Sequence, residues 1–288
     1  MTIYRDTGSV ADGVFLIDSL IWGIEKQHAV YIVKSSDRTA LIDTGIRRTT
    51  KTILNNLKNL QLETLDYLLI THSHLDHCEA IHQFAKQFPN IEIGIPHLAH
   101  DLIETYNRKS TRLGLTNPVL LLKEGTVIKL DSESHLNVIE TPGHISDHIS
   151  FLDPRHQILF VGDACGAHHL GENFSRPTAY APDFRHENYI RTLLRFQEIN
   201  PVGLAIASYG FATNQDAKNC IEASIRDFNE WKKVIVDAVR ENPDENYVAE
   251  VLLKNFGRSP GEISENRPER WIKGILRGLA RGFMNSLG

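Results

Sequence analysis

Residues 71–77 read Thr71-His72-Ser73-His74-Leu75-Asp76-His77 and follow directly on the apolar run Tyr67-Leu68-Leu69-Ile70. Such a run is typical of a buried strand, and a turn after a strand projects its side chains from the sheet edge into a shared pocket. His72 and His74, two residues apart, can reach one metal ion from one side. Asp76 and His77 fall in the next turn and can point at a second ion, since zinc and similar metals favour imidazole and carboxylate ligands. The stretch therefore predicts a metal site at the end of a strand.

Two later segments place further ligand types just after strand-like runs. The segment Thr141-Pro142-Gly143-His144 follows the run 136–140, and Asp163 follows the run 158–161 in the same way. A carboxylate at position 163 could bridge two cations, although a strand-end Asp alone is often only a turn former. Together with residues 71–77, these segments indicate one metal centre assembled from separate strand ends.

The composition narrows the class of protein. The chain has 288 residues, with 31 Lys+Arg against 36 Asp+Glu and a net charge of −5, which argues against a nucleic-acid partner. Its three cysteines form no CxxC pair, so a reducing compartment is expected. No targeting signal is visible, and the early apolar run 14–22 is too short to span a bilayer. We therefore expect a cytoplasmic protein without a membrane span.

Short β-rich runs alternate with helical periodicity over the first 213 residues, which predicts sheets covered by helices. The main predicted helices are 47–60, 80–88, 96–106 and 187–199, and the last predicted strand is 204–207. From residue 214 onward, apolar residues recur at helical spacing. Residues 214–288 are therefore predicted to form an all-helical extension packed on an α/β body.

The ordered set of motifs resembles the metallo-β-lactamase superfamily. It comprises the HxHxDH motif at 72–77, His144 in a TPGH context, Asp163 in a GDA context and the early Leu41-Ile42-Asp43-Thr44-Gly45. The resemblance covers roughly 14–211 and implies an α+β fold, a four-layer αββα sandwich over 1–213, with the helical extension at 214–288. The extension more loosely resembles that of the quinolone-signal response thioesterase branch, in which C-terminal helices cover the site.

The resemblance also implies a ligand set for two divalent metal ions. In it His72, His74 and His144 hold one ion, Asp76 and His77 hold the other, and Asp163 bridges them. Zinc is the favoured metal, with iron or manganese as alternatives, because His/Asp sites accept all of them.

One position departs from the family pattern. The family usually supplies a last His after the final strand, and here the chain reads Ala207-Ser208-Tyr209-Gly210. Ser208 is the favoured equivalent and Tyr209 the alternative. A neutral hydroxyl is a poor ligand, so either water fills the gap, Tyr209 ligates as a phenolate, or the second metal site is weak.

The expected function is that of a metallo-hydrolase. A metal-bound hydroxide would attack an ester, thioester or lactone of a small organic substrate, with a phosphodiester less favoured, and Asp76 would orient the nucleophile and shuttle a proton. Because of Ser208, a mononuclear iron oxygenase-like enzyme and a weakly catalytic metal-containing binding protein stay as alternatives.

The irregular stretch 166–183 is expected to overhang the site. In it His169, Phe174 and Tyr180 are candidate substrate contacts, and His168 or His169 could stand in for the missing ligand. The expected partner is the small-molecule substrate, and a homodimer through the helical extension is possible.

Overall fold

The computed structural model describes residues 3–62, 64–169, 173–256 and 269–287. The first sheet has seven strands in chain order, the early ones antiparallel and β4 to β7 parallel. They are β1 (Gly8–Ala11), β2 (Val14–Asp18), β3 (Ala29–Lys34), β4 (Thr39–Ile42), β5 (Tyr67–Leu69), β6 (Glu92–Pro96) and β7 (Val119–Leu122).

The second sheet has six strands in the order β13-β12-β11-β10-β9-β8. They are β8 (Val127–Lys129), β9 (His135–Glu140), β10 (Ile149–Asp153), β11 (Ile158–Gly162), β12 (Gly203–Ile206) and β13 (Gly210–Thr213). All neighbours are antiparallel except β11 and β12. The helix His186–Ile199 connects β11 to β12, which explains the parallel pair, because parallel strands need a crossover connection.

Eight α-helices cover the two sheets within the described residues. They are α1 (Thr50–Asn59), α2 (Leu75–Cys78), α3 (Ile81–Gln87), α4 (His100–Leu113), α5 (His186–Ile199), α6 (Gln215–Glu241), α7 (Glu245–Phe256) and α8 (Glu269–Leu287). None of the described helices combines the length and the apolar character needed to cross a bilayer.

Three hydrophobic clusters fix the layer order. The middle cluster joins the facing sides of the two sheets, with Leu16 and Leu69 from one sheet and Phe151 and Phe160 from the other. A second cluster packs α1 and α3 on the outer face of the first sheet, and a third packs α5 to α8 on the outer face of the second. This is the predicted four-layer αββα sandwich with C-terminal helices, which is confirmed.

The helical extension shares its core with the body. Phe283 of α8 is fully buried, with ring centroids 4.9 Å from Phe184 and 5.6 Å from Phe228. Nearby, a Cβ at Gly282 would lie 2.4 Å from the carbonyl oxygen of Ala179, so only glycine lets α8 approach the loop before α5 this closely. The division at residues 213 and 214, and a homodimer through the extension, stay predictions.

Several predicted boundaries were wrong. The strand at 203–206 is followed by β13, so it is not the last, and the edge strands β1 and β7 were not predicted. The helix predicted at 96–106 begins only at His100, because the His97 amide still donates to the Leu122 carbonyl at 2.8 Å and prolongs the pairing with β7.

Replacing Phe283 by alanine tests the shared core. Removing a fully buried aromatic ring should lower the free energy of unfolding by about 3–5 kcal/mol, whereas Leu287→Ala at an exposed position of the same helix should cost less than about 1 kcal/mol. Urea unfolding measures both. Equal effects of the two substitutions would contradict the packing of α8 on the body.

Candidate metal centre

The predicted ligands meet at one edge of the sandwich because each follows the end of a strand. His72 and His74 come after β5, His144 after β9, and Asp163 directly after β11. His77 lies one turn further on, in the short helix α2. The pairing of the strands therefore gathers side chains that are up to 91 positions apart in the sequence, from 72 to 163.

Three imidazoles face one another at contact distance. His74 Nδ1 lies 3.0 Å from His72 Nε2 and 2.8 Å from His144 Nε2. One nitrogen from each ring lies within 4.8 Å of the other two, a spacing that a single metal ion can span. His72 and His144 are buried, and His74 is partly exposed.

Hydrogen bonds on the far side of the rings fix which nitrogen carries the proton. The Thr71 hydroxyl donates to the Asp43 carboxylate at 2.9 Å, so it can only accept from His72 Nδ1, which lies 2.9 Å away. The Nδ1 of His144 donates to the carbonyl of Thr178. Both rings therefore turn the unprotonated Nε2 inward, the arrangement that supports metal-ligating histidines.

The three facing nitrogens cannot all be paired by hydrogen bonds. In the neutral state His74 Nδ1 has at most one hydrogen, and it faces two lone pairs. One buried acceptor would stay without a donor, which is costly away from water. A divalent cation accepts all three lone pairs at once, so the donor set fits a metal ion.

A second ligand group lies beside the first. His72, His77 and Asp163 again bring one ligand atom each within 4.8 Å of the others. Asp163 Oδ2 lies 3.6 Å from His77 Nε2 and 3.6 Å from His144 Nε2, which is between the two groups. His77 Nδ1 contacts Asp43 Oδ2 at 2.7 Å, and its buried Nε2 has no hydrogen-bond partner among the described residues.

Burial and neighbouring charges set the protonation of these groups. Burial lowers the pKa of His72 well below its ordinary value and that of His74 to about 4, so both rings are neutral near pH 7. Burial also opposes protonation of His77, but the Asp43, Asp76 and Asp163 carboxylates together raise its pKa well above the ordinary value. The second group therefore attracts positive charge.

The side chains of Asp76, Ser208 and Tyr209, the remaining predicted residues of the metal centre, make different contacts. Asp76 is partly exposed, with Oδ2 3.9 Å from His77 Nε2. Ser208 Oγ donates to Asp163 Oδ1 at 3.0 Å, which is the position expected in the favoured register. The hydroxyl of Tyr209 instead donates to the Arg5 carbonyl at 2.9 Å, and its ring packs between the sheets. This geometry favours Ser208 over Tyr209 at the position of the missing ligand.

The structure places two of the three candidate substrate contacts in one pocket. His169 and Tyr180 line a pocket of about 290 Å³ beside the ligands, whereas Phe174 is half-buried and is not among the described residues that line it. His168 is buried, and its Nε2 lies 3.1 Å from both the Cys165 carbonyl and Ser224 Oγ. Its ring therefore contacts groups other than the ligands.

Sequence reasoning missed three buried polar side chains. Asp43 accepts from the Thr71 amide at 2.8 Å and holds His77, whereas the sequence shows it only as part of the Leu41–Gly45 motif. His148 stacks on His72 with centroids 4.9 Å apart and accepts the Asp163 amide at 3.2 Å. His28 lies 4.7 Å from His77, ring to ring. The sequence feature that could have pointed to the two histidines is their position directly before a strand, β10 for His148 and β3 for His28.

Comparison with known proteins gives the family. The sequence profile of the metallo-beta-lactamase superfamily matches residues 23–202, which is more than half of the chain. The chain belongs to this superfamily. The resemblance drawn from the motifs is thereby confirmed, and the HxHxDH segment at 72–77 lies inside the matched range.

Two relatives in sequence are named as hydroxyacylglutathione hydrolases. Hydroxyacylglutathione hydrolase GloC of Haemophilus influenzae is 32% identical over 152 residues, 50% of this chain and 64% of that protein. Hydroxyacylglutathione hydrolase 1 of Vibrio vulnificus is 29% identical over 162 residues, 55% of this chain and 53% of that protein. The chain thus spans between about half and two thirds of the length of the curated relatives it matches.

A solved structure of the superfamily supports the fold. The metallo-beta-lactamase family protein of Thermus thermophilus superposes with a TM-score of 0.68 at 18% identity. The superposition covers 97% of this chain and 94% of that one, so it includes the C-terminal helices.

Asp43→Asn tests the support behind His77. The amide keeps the size of the side chain but weakens the contact with His77 Nδ1, so zinc binding at the ligand group that contains His77 should weaken about 10–100-fold. Calorimetric titration of the metal-stripped protein measures this, with Asp37→Asn on an exposed turn as the control. A zinc titration of Asp43→Asn that matches that of the unaltered protein would contradict this role for Asp43.

Proposed function

We propose that the protein is a metal-dependent hydrolase that cleaves an ester or thioester bond of a small organic substrate, with lactones as a further substrate class. The observation that carries the proposal is a pocket that Asp76 and Asp163 of the ligand cluster both line. The relatives support it, because two of them are hydroxyacylglutathione hydrolases.

The pocket is suited to a small acyl group. Its volume of about 290 Å³ is at the low end for ligand sites, too small to enclose a polymer. Ile21, Trp22 and Ile275 give it apolar walls, and Ile275 belongs to the extension helix α8. Gln27 and His169 add polar groups that could bind a carbonyl or hydroxyl of the substrate.

The extension supports this pocket from outside. The ring of Tyr180, which lines the pocket, would lie 3.3 Å from a Cβ at Gly278 of α8. A loop held in this way loses less freedom when a substrate binds, which favours an ordered acyl site.

Asp76 is the residue we assign to proton transfer. Its carboxylate lies on the pocket wall beside His77 and is about one third exposed, so it can receive a proton near the reacting atoms and pass it to the leaving group or to solvent. When bound, two divalent metal ions, with zinc favoured and iron or manganese as alternatives, would activate water and polarise the scissile carbonyl. His144 and Asp163 help to keep the ligand cluster rigid, since the His144 ring donates to the Thr178 carbonyl and the Asp163 carboxylate accepts from the Ser208 hydroxyl.

The substrate class is tested with the zinc-loaded full chain. A hydroxyacyl thioester of glutathione, a nitrophenyl acyl ester, a lactone and a nitrophenyl phosphodiester form the panel. We expect thioester or ester hydrolysis that is lost on chelation and restored by zinc. Oxygen consumption by an iron-loaded protein without any hydrolysis would contradict the proposal and favour the oxygenase alternative.

Asp76→Asn should lower kcat for the best substrate about 10²–10⁴-fold, because the amide cannot take up the proton. Elemental analysis should still find metal on the variant, since His72, His74 and His144 are unchanged. Asp12→Asn, whose side chain is 90% exposed and remote in the β1–β2 turn, is the control. An unchanged kcat in Asp76→Asn would refute the assignment.

A further inference from the structure

Two imidazoles that the ligand set above does not use line the pocket, those of His169 and His28. The buried one is that of His28. It precedes β3 directly and is 2% exposed. Its ring centroid lies 4.7 Å from that of His77, with the two planes nearly perpendicular at 79°. It lines the same pocket as Asp76 and Asp163. His28 therefore lies beside the second group of ligands.

The two nitrogens of His28 are in different situations. Nδ1 lies 3.2 Å from Ser19 Oγ, which holds the ring from behind. Nε2 is buried and has no hydrogen-bond partner among the residues that the structure describes. A buried nitrogen of this kind is rare without a reason, because it has lost its water and gained nothing in return. On a ring held at Nδ1, Nε2 is the nitrogen available to a cation.

The backbone explains why this ring is beside Ser208. The Ala29 amide donates to the Ala207 carbonyl at 2.8 Å, which ties the start of β3 to the residue before Ser208. The Ser19 amide donates to the His28 carbonyl at 3.0 Å, which ties the backbone of His28 to the residue after β2. Residues 28 and 208 are thus neighbours across the two sheets, although 180 positions separate them in the sequence.

Ser208 itself is poorly placed to hold a cation. Its hydroxyl directs its hydrogen at Asp163 Oδ1, 3.0 Å away, and so acts as a donor to a carboxylate. Apart from His72, which also belongs to the first group, the second group offers His77 and Asp163 as ligands. Asp76 lies nearby, and a serine stands where the family pattern has a histidine. One further neutral imidazole would complete a four-donor site of the kind that zinc and related ions prefer.

We propose that His28 Nε2 is a ligand of the second metal ion, together with His77, Asp76 and Asp163, and so replaces the imidazole that position 208 lacks. Ser19 is the positioning residue that holds the ring. The proposal rests on the metal centre of the proposed function, and its test reads metal binding instead of hydrolysis. A protein that binds two ions through His28 but hydrolyses nothing would refute the function and leave this inference standing.

The experiment titrates the metal-stripped full chain with Co²⁺ and follows visible absorption. We expect two ions per chain for the unaltered protein. His28→Ala should keep the first ion with unchanged affinity, while the affinity for the second should fall at least about 10-fold. His100→Ala, which removes an exposed histidine from α4, is the matched control and should bind both ions normally.

A swap of the imidazole gives the stricter test. The double variant His28→Ala/Ser208→His should regain the second ion, because it restores one imidazole at the neighbouring position. A His28→Ala variant that binds the second ion as well as the unaltered protein would overturn the proposal. So would an unaltered protein that binds only one ion.

Nuclear magnetic resonance keeps the proposal testable if the alanine variant does not fold. In the unaltered protein labelled with ¹⁵N-histidine, the second equivalent of Zn²⁺ should shift the Nε2 signal of His28 together with that of His77. Assignment uses His28→Gln, which retains bulk at this position. A shift at His77 without one at His28 would refute the inference.

Discussion

The site depends on three buried imidazole nitrogens that face one another with too few protons between them. His74 Nδ1 lies within 3.0 Å of both His72 Nε2 and His144 Nε2. The Nδ1 atoms of His72 and His144 donate to the Thr71 hydroxyl and the Thr178 carbonyl, which leaves both Nε2 atoms as lone pairs. Such a cluster is unfavourable without a cation, because buried acceptors need partners. Burial also keeps these rings neutral, which is the state that binds metal. The fold therefore provides a centre whose electrostatics are balanced only by positive charge.

The αββα sandwich produces this constraint by placing strand ends from both sheets at one edge. The hydrophobic core between the sheets holds their relative position, so the loops that carry the ligands cannot separate to relieve the crowding. Asp43, at the end of β4, is part of the same constraint. Its carboxylate accepts hydrogen bonds from the Thr71 amide and hydroxyl and also contacts His77 Nδ1. The extension helices pack on the outer face and reach the pocket through Ile275, which connects the C-terminal region to the substrate side.

The sequence predicted the features that are local and left out those that depend on strand pairing. The HxHxDH segment was recognisable because all four polar ligands follow one buried strand, and the sandwich followed from the ordered motifs. His28 and His148 were missed because each precedes a strand and approaches the ligands only after the sheets have formed. The edge strands β1 and β7 were missed for a related reason, since they are short and their partly exposed faces have weak periodicity. The register at 208 and 209 was left open by the sequence, and the hydrogen bonds of Ser208 and Tyr209 distinguish the two residues.

The central proposal is that this crowded edge holds two metal ions, and a crystal of the zinc-loaded protein tests it most directly. Anomalous diffraction measured on both sides of the zinc absorption edge locates each ion without reference to activity. We expect two peaks about 3.5–4 Å apart. One should lie among His72, His74 and His144, and the other beside His77, with Asp163 in contact with both. The absence of any peak at the histidine cluster, with zinc bound elsewhere on the chain, would contradict the account.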